Sequence, residues 1–175
     1  YYYSTLFKDL QRLTYEFLLN IRNDKEAQIN YYANKNIDTQ EYYAKFNINL
    51  IDINPILTLT KLNFGLSGET NIDGSFSNGF TSRLQAFTQI DTIEVAGKKI
   101  IDTEIEFSGS KIRDSTRVLA VLSVNSQRQI IAKNLITKNF FSEAIWDEDH
   151  IDLNVDFDQE NTTNYVRLQS EIDFL

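Results

Sequence analysis

The chain has 175 residues, 42% of them apolar and 24% charged, with a formal net charge of −8. This is the composition of a folded, soluble segment rather than a disordered one, and the acidic balance argues against a nucleic-acid surface. The absence of cysteine removes disulfides, thiolate metal sites and cysteine nucleophiles together.

No apolar run approaches the ~20 residues of a membrane-spanning helix. There is no methionine, and the last residues alternate apolar and polar up to Leu175. Both features read as a single internal segment (1–175) of a longer protein, with any anchor or targeting signal outside it.

At the start of the chain, Leu6, Leu10, Leu13 and Phe17 fall at i, i+4, i+7 and i+11, with Ser4 available as an N-cap. From Leu13 onward the residues also alternate: Leu13, Tyr15, Phe17, Leu19 and Ile21 are apolar. This double pattern predicts a short helix within residues 1–12, over 4–12, and strands thereafter. A side-chain period of two belongs to a strand with one dry and one wet face.

Strands are expected over 12–22, 26–34, 40–52, 56–66, 69–77, 83–95, 100–109, 116–125, 128–145 (interrupted), 150–158 and 164–175. Polar turn chemistry separates them at Asn23-Asp24, Asn34-Lys35-Asn36, Asn54-Pro55, Asn78-Gly79, Gly97, Asp114-Ser115, Asn125-Ser126, Glu148-Asp149 and Asn161-Thr162. Asn78-Gly79 is the strongest hairpin signal, because a type I′ turn needs positive φ at both central residues. Short connections make sequential strands neighbours, in an antiparallel meander. The predicted class is all-β, a long meander with one continuous apolar face.

Little here carries chemistry. His150 is the only histidine, beside Asp149 and Asp152, and reads as a turn residue at a strand edge. Asp147-Glu148-Asp149 and Asp156, Asp158, Glu160 have oxygen ligands but no EF-hand spacing. They read as a solvated turn and strand face. Gly65-Leu66-Ser67-Gly68 continues the alternation Leu62, Phe64, Leu66, Gly68, Thr70, Ile72 and is no nucleophile elbow or phosphate loop. Asn161-Thr162-Thr163 matches a glycosylation sequon, a pattern common by chance. The aromatics, among them Tyr31-Tyr32, Tyr42-Tyr43, Phe46, Phe64, Phe76, Phe87, Phe107 and Phe140-Phe141, read as core rather than as a stacking platform. No catalytic site, metal or cofactor is expected, and the chain does not read as an enzyme.

Function turns on what covers the apolar face. The sheet could close as a sandwich or barrel, face lipid as a membrane barrel, or curl into an open trough that takes acyl chains. Aromatics at mid-strand, such as Phe17, Phe46, Phe64 and Phe107, disfavour the girdles of a membrane barrel.

The stretch LNFGLSGETNIDGSF (62–76), followed by IIDTEIEFSG, RVLAVLSVNSQ, KNLITKNFFSEAIWDEDHIDLNVDF and YVRLQSEIDFL, resembles the repeated long strands of the AsmA-like/TamB family, in particular its Bacteroidota homologues. The resemblance covers about residues 40–175, and the Trp146-Asp147 region is its most particular part. It implies a β-taco, an open trough reaching through the periplasm from an inner-membrane anchor toward the outer membrane. The implied roles are carrying or shielding phospholipid and assisting outer-membrane protein assembly with a TamA-type barrel partner. The implied groove-lining positions are Leu62, Phe64, Leu66, Ile105, Phe107, Val118, Ala120, Leu122, Leu153, Val155, Phe157, Val166, Leu168 and Ile172. A structural or adhesive β-sandwich or solenoid domain of a secreted protein is the alternative.

Overall fold

The computed structural model describes residues 2–22, 24–35, 41–52, 64–113 and 115–174. The N-terminal pattern resolves as helix, not strand. Helix α1 runs Tyr2–Arg22 and helix α2 runs Lys25–Asn34. The strands expected over 12–22 and 26–34 are therefore corrected, as is the limit of the helix at residue 12. Residues 2–22 contain neither Gly nor Pro, so nothing stops the helix after its first turns. Asp9, Leu13, Glu16 and Leu19 are buried while Phe7, Tyr15 and Leu18 are exposed, a stripe with helical spacing. Asp24, expected in a turn, caps α2 by accepting from the Ala27 N–H at 3.0 Å.

The rest is one antiparallel sheet. Its strands are β1 (Tyr42–Leu50), β2 (Phe64–Ser67), β3 (Thr70–Asn78), β4 (Thr81–Val95), β5 (Lys98–Ile112), β6 (Val118–Ala132), β7 (Leu135–Asp147), β8 (His150–Gln159) and β9 (Tyr165–Asp173). They lie in the order β1-β3-β4-β5-β6-β7-β8-β9, with β2 pairing β4 end-on to β3. Each connection along β3 to β9 joins sheet neighbours, and β1 and β9 do not pair, so the sheet is open. At ~3.3 Å per residue, the 15-residue strands β4, β5 and β6 extend roughly 50 Å.

Turn chemistry placed most strand ends within a few residues, with instructive exceptions. Asn125-Ser126, expected as a break, lies inside β6, and the real turn falls between Ala132 and Leu135. Asn78-Gly79 marks the β3–β4 connection, but neither residue has positive φ. Instead the Asn78 side chain is buried and accepts from Arg12 Nη2 at 3.0 Å and Ser82 Oγ at 3.1 Å. The two-residue turn with both φ positive is Ala96-Gly97, at 51° and 76°. Gly68 (φ 78°) bends the chain between β2 and β3 rather than continuing one strand. Leu62, Pro55 and the expected strand up to residue 63 lie outside the described residues.

Candidate functional site

Directly paired residues of an antiparallel ladder point to the same face, so register alone assigns sides. One row reads Ile105, Val124, Ser142, Val155, Leu168 across β5 to β9. The next reads Phe107, Leu122, Ala144, Leu153, Ser170, and a third Gly109, Ala120, Trp146, Ile151, Ile172. Lys111 pairs Val118, and Phe157 pairs Val166, on the same face. The expected lining positions from Ile105 to Ile172 thus share one side.

Phe64 and Leu66 reach that side by a different route. Asp91, Asp102, Gln127 and Asn139 stand level with one another in β4, β5, β6 and β7, yet the ladders skip all four. Asp102 and Asn139 take φ of 50° and 52°. These left-handed residues kink the strands in concert. Gln129 Nε2 donates to Ser126 Oγ at 3.0 Å, so residues three apart in β6 face the same way across the kink. Ile100 pairs Gln129, Ile93 pairs Ile100, and Leu66 pairs Ile93. Leu66, and Phe64 two residues before it, therefore lie on the face of Phe107. A buried polar band runs along the kink, where Thr137 Oγ1 donates to Gln129 Oε1 at 2.7 Å and Ser126 Oγ donates to the Ile101 carbonyl at 2.8 Å.

Helix α1 lies across one end of this face. Tyr42 Oη (β1) donates to Asp9 Oδ2 at 2.6 Å, and Arg12 reaches Asn78 at the end of β3. Glu16 meets Lys111 of β5, and Phe17 packs edge-to-face on Trp146 of β7 with centroids 5.4 Å apart. Gly109 makes room, since a Cβ there would stand 3.2 Å from the Phe17 ring. Beneath the helix Val118 and Ala120 are 1% and 5% exposed. Away from it Leu122, Val166, Leu168 and Ile172 are 40–49% exposed. The face is dry at one end and open over β6–β9.

The docking is electrostatic as well as apolar. Glu16 lies 2.9 Å from Lys35 Nζ and 3.2 Å from Lys111 Nζ, all three side chains nearly inaccessible. It also accepts from Tyr31 Oη at 2.9 Å. Burial pushes the Glu16 pKa up, but the Lys35 hydrogen bond and the Lys111 charge outweigh it and hold the carboxyl below its ordinary range. Lys111 moves the other way for its type: burial lowers its pKa, and Glu16 only partly offsets this beside Lys35 and Arg12. The partners of Glu16 thus more than compensate the burial of its charge, while those of Lys111 do not, so the ion pair specifies where the helix docks more than it adds net stability. Tyr32 lies under both ammonium groups, 5.3 and 4.8 Å from its ring centroid.

Sequence reasoning missed Phe17, Glu16, Lys111 and Trp146 as the docking set. A signal existed, because Lys111 follows Phe107 and Gly109 on an apolar row and so demands a buried partner.

The remaining candidates have ordinary settings. His150 bridges Asp173 (Nδ1, 2.6 Å) and Asp152 (Nε2, 3.1 Å). Those hydrogen bonds, Asp173 first, raise its pKa to about 8. Several of the acidic residues are partnered: Glu148 with Arg117, Asp156 with Arg167, Glu160 with Arg128, and Asp158 with Asn139. Among the described residues no group of three or more His, Cys, Asp or Glu is placed to hold a metal ion, and no helix is long and apolar enough to cross a membrane.

No family model, no curated protein and no solved structure matches the chain.

Proposed function

We propose that this chain is a segment of a hydrophobic trough in which phospholipid acyl chains lie along the open apolar face of β6–β9. This is the role implied by the AsmA-like/TamB resemblance. On this reading the protein works in the periplasm, as part of a longer inner-membrane-anchored chain. It carries or shields phospholipid on the way to the outer membrane or assists a TamA-type barrel there.

The observation that carries the reading is the run of half-exposed apolar residues Leu122, Val166, Leu168 and Ile172 on the face that α1 leaves open. Each acyl CH₂ transferred from water onto such a surface is worth ~0.8 kcal/mol. A few carbons suffice for weak binding, and several strands in series let a chain slide without meeting a deep well.

Leu119 supplies the internal control. It is 48% exposed and lies on the opposite face, next in sequence to Val118 and Ala120. Photo-crosslinkers placed at Leu122 and Leu168, and separately at Leu119, are expected to capture phospholipid from the first two positions only. Equal labelling at Leu119, or none at Leu122 and Leu168, sinks the proposal in favour of a structural β domain.

A further inference from the structure

The open part of the apolar face has a different wall at each end. At one end stands α1, where Phe17 lies edge-to-face on Trp146 and Ala120, in the same row as Trp146, is 5% exposed. This wall offers no donor, since Trp146 Nε1 already donates to the Glu148 carbonyl at 2.7 Å. At the other end stands the polar band of the kink, and it reaches beyond β6 and β7. Thr137 pairs Gln159 in β8, whose Oε1 accepts from Asn164 Nδ2 at 2.8 Å. Gln159 follows Val155 and Phe157 at a spacing of two, so the ladder and the strand parity agree in placing it on the apolar face.

Between the walls lie Leu122, Val124, Ala144, Leu153, Val155 and Phe157, with Ser142 among them. Ala120 and Ser126 mark the two ends in β6, roughly 20 Å apart along the strand. The Phe17 ring and the side chains of the band take up part of that length. The remainder matches one leaflet of a bilayer core, half of about 30 Å. At the band the face opens into a groove of about 780 Å³, where Phe157 and Val166 meet Thr137, Gln159 and Asn164. An apolar length of one acyl layer that ends in hydrogen-bonding groups has the outline of an amphiphile with a single polar end.

We infer that the phospholipid of the proposed function, on which this inference rests, lies with its acyl chains parallel to the strands over β6–β8. The methyl ends abut Phe17 and Trp146, and the ester linkages sit at Thr137, Gln159 and Asn164. The reverse orientation would bring ester carbonyls to a wall without donors and leave them unpaired. Phe17 also sets the longest chain the trough accepts, because α1 is held in place by its contacts with Tyr42, Asn78 and Lys111.

Trp146 is the only tryptophan and stands in the wall itself, so a brominated chain reports which of its ends is near. Two monoacyl phosphocholines serve as probes below their micellar concentrations, one brominated at the methyl end and one beside the ester. Equilibrium dialysis measures their binding separately. At equal occupancy the methyl-end probe is expected to quench Trp146 strongly and the ester-end probe hardly at all. Across a series of saturated chains, affinity is expected to rise about two- to fourfold per methylene and to level off at the length that reaches Phe17. Phe17→Ala is expected to move that plateau to longer chains, and Phe17→Leu, which keeps α1 seated, to move it less. Gln159→Leu, at the far end, is expected to narrow the difference between the two probes and leave the plateau in place. Equal quenching by both bound probes, stronger quenching from the ester end, or a plateau unmoved in folded Phe17 variants overturns the orientation and leaves the proposed function standing. No binding of any probe overturns both.

Discussion

Glu16 on α1 and Lys111 on β5 form an ion pair of 3.2 Å with 4% and 1% of their side chains exposed. The pair fixes where the helix crosses the sheet, since Lys111 sits on the same row as Val118, under the helix. Replacing Glu16 by Gln leaves two buried ammonium groups without their anion. It is expected to cost about 3–5 kcal/mol in urea denaturation, and Glu16→Asp less.

Acid should loosen the same contact. The Glu16 carboxyl is held below its unfolded value, so its contribution is present above the unfolded pKa of 4.5 and is lost as pH falls through the lower folded one. The wild-type midpoint is expected to drop on acidification below pH 4.5. Glu16→Gln should lose much of that slope, measured by urea titration at several pH values.

His150 gives the opposite sign. Its pKa is raised from 6.5 to about 8, so its contribution is present below pH 6.5 and fades as pH rises through about 8. As the only histidine, its ring resonances are unambiguous. An NMR titration should give a midpoint well above 6.5, and Asp173→Asn should lower it.

Two glycines are required for different reasons, one by a ring that lies on it and one by its backbone angle. A Cβ at Gly74 would stand 2.2 Å from the Phe46 ring and 2.6 Å from the Gln85 carbonyl oxygen. Gly74→Ala is expected to destabilise by about 1–3 kcal/mol as the ring and β4 shift apart. At Gly97 there is nothing within 4 Å, but φ is 76°, so Gly97→Ala costs through strain alone, about 1 kcal/mol. Thermal unfolding of the two variants orders them.

The turn at Ala96 can be improved. Alanine holds φ of 51° there, against its preference. Ala96→Asn, completing the Asn-Gly pair that a type I′ turn favours, is expected to stabilise by about 0.5–1 kcal/mol. A fall in the denaturation midpoint would show that the turn is set by its strands instead.

By itself, the sequence determined the sheet. Period-two alternation punctuated by polar turns identified β1 and β3 to β9 to within a few residues at most of their ends. Parity orders the side chains within each strand, but that Ile105, Phe107, Leu122, Leu153 and Leu168, positions implied by the family resemblance, share one face follows from the ladder register. Parity was insufficient at the kink, where Ile100-Ile101, Ile130-Ile131 and Phe140-Phe141 each permit two registers. The polar pair Asn125-Ser126 looks like a turn there but passes through the middle of β6.

Only the tertiary structure decided residues 13–34. Leu13, Phe17 and the residues between satisfy both a strand and a helix. The helix wins because it sets Asp9, Leu13 and Glu16 on one buried stripe, where Tyr42 meets Asp9 and Lys111 meets Glu16 from strands distant in the chain. A local pattern cannot register such partners, since a charge such as Glu16 is buried only where the fold brings its counter-ion.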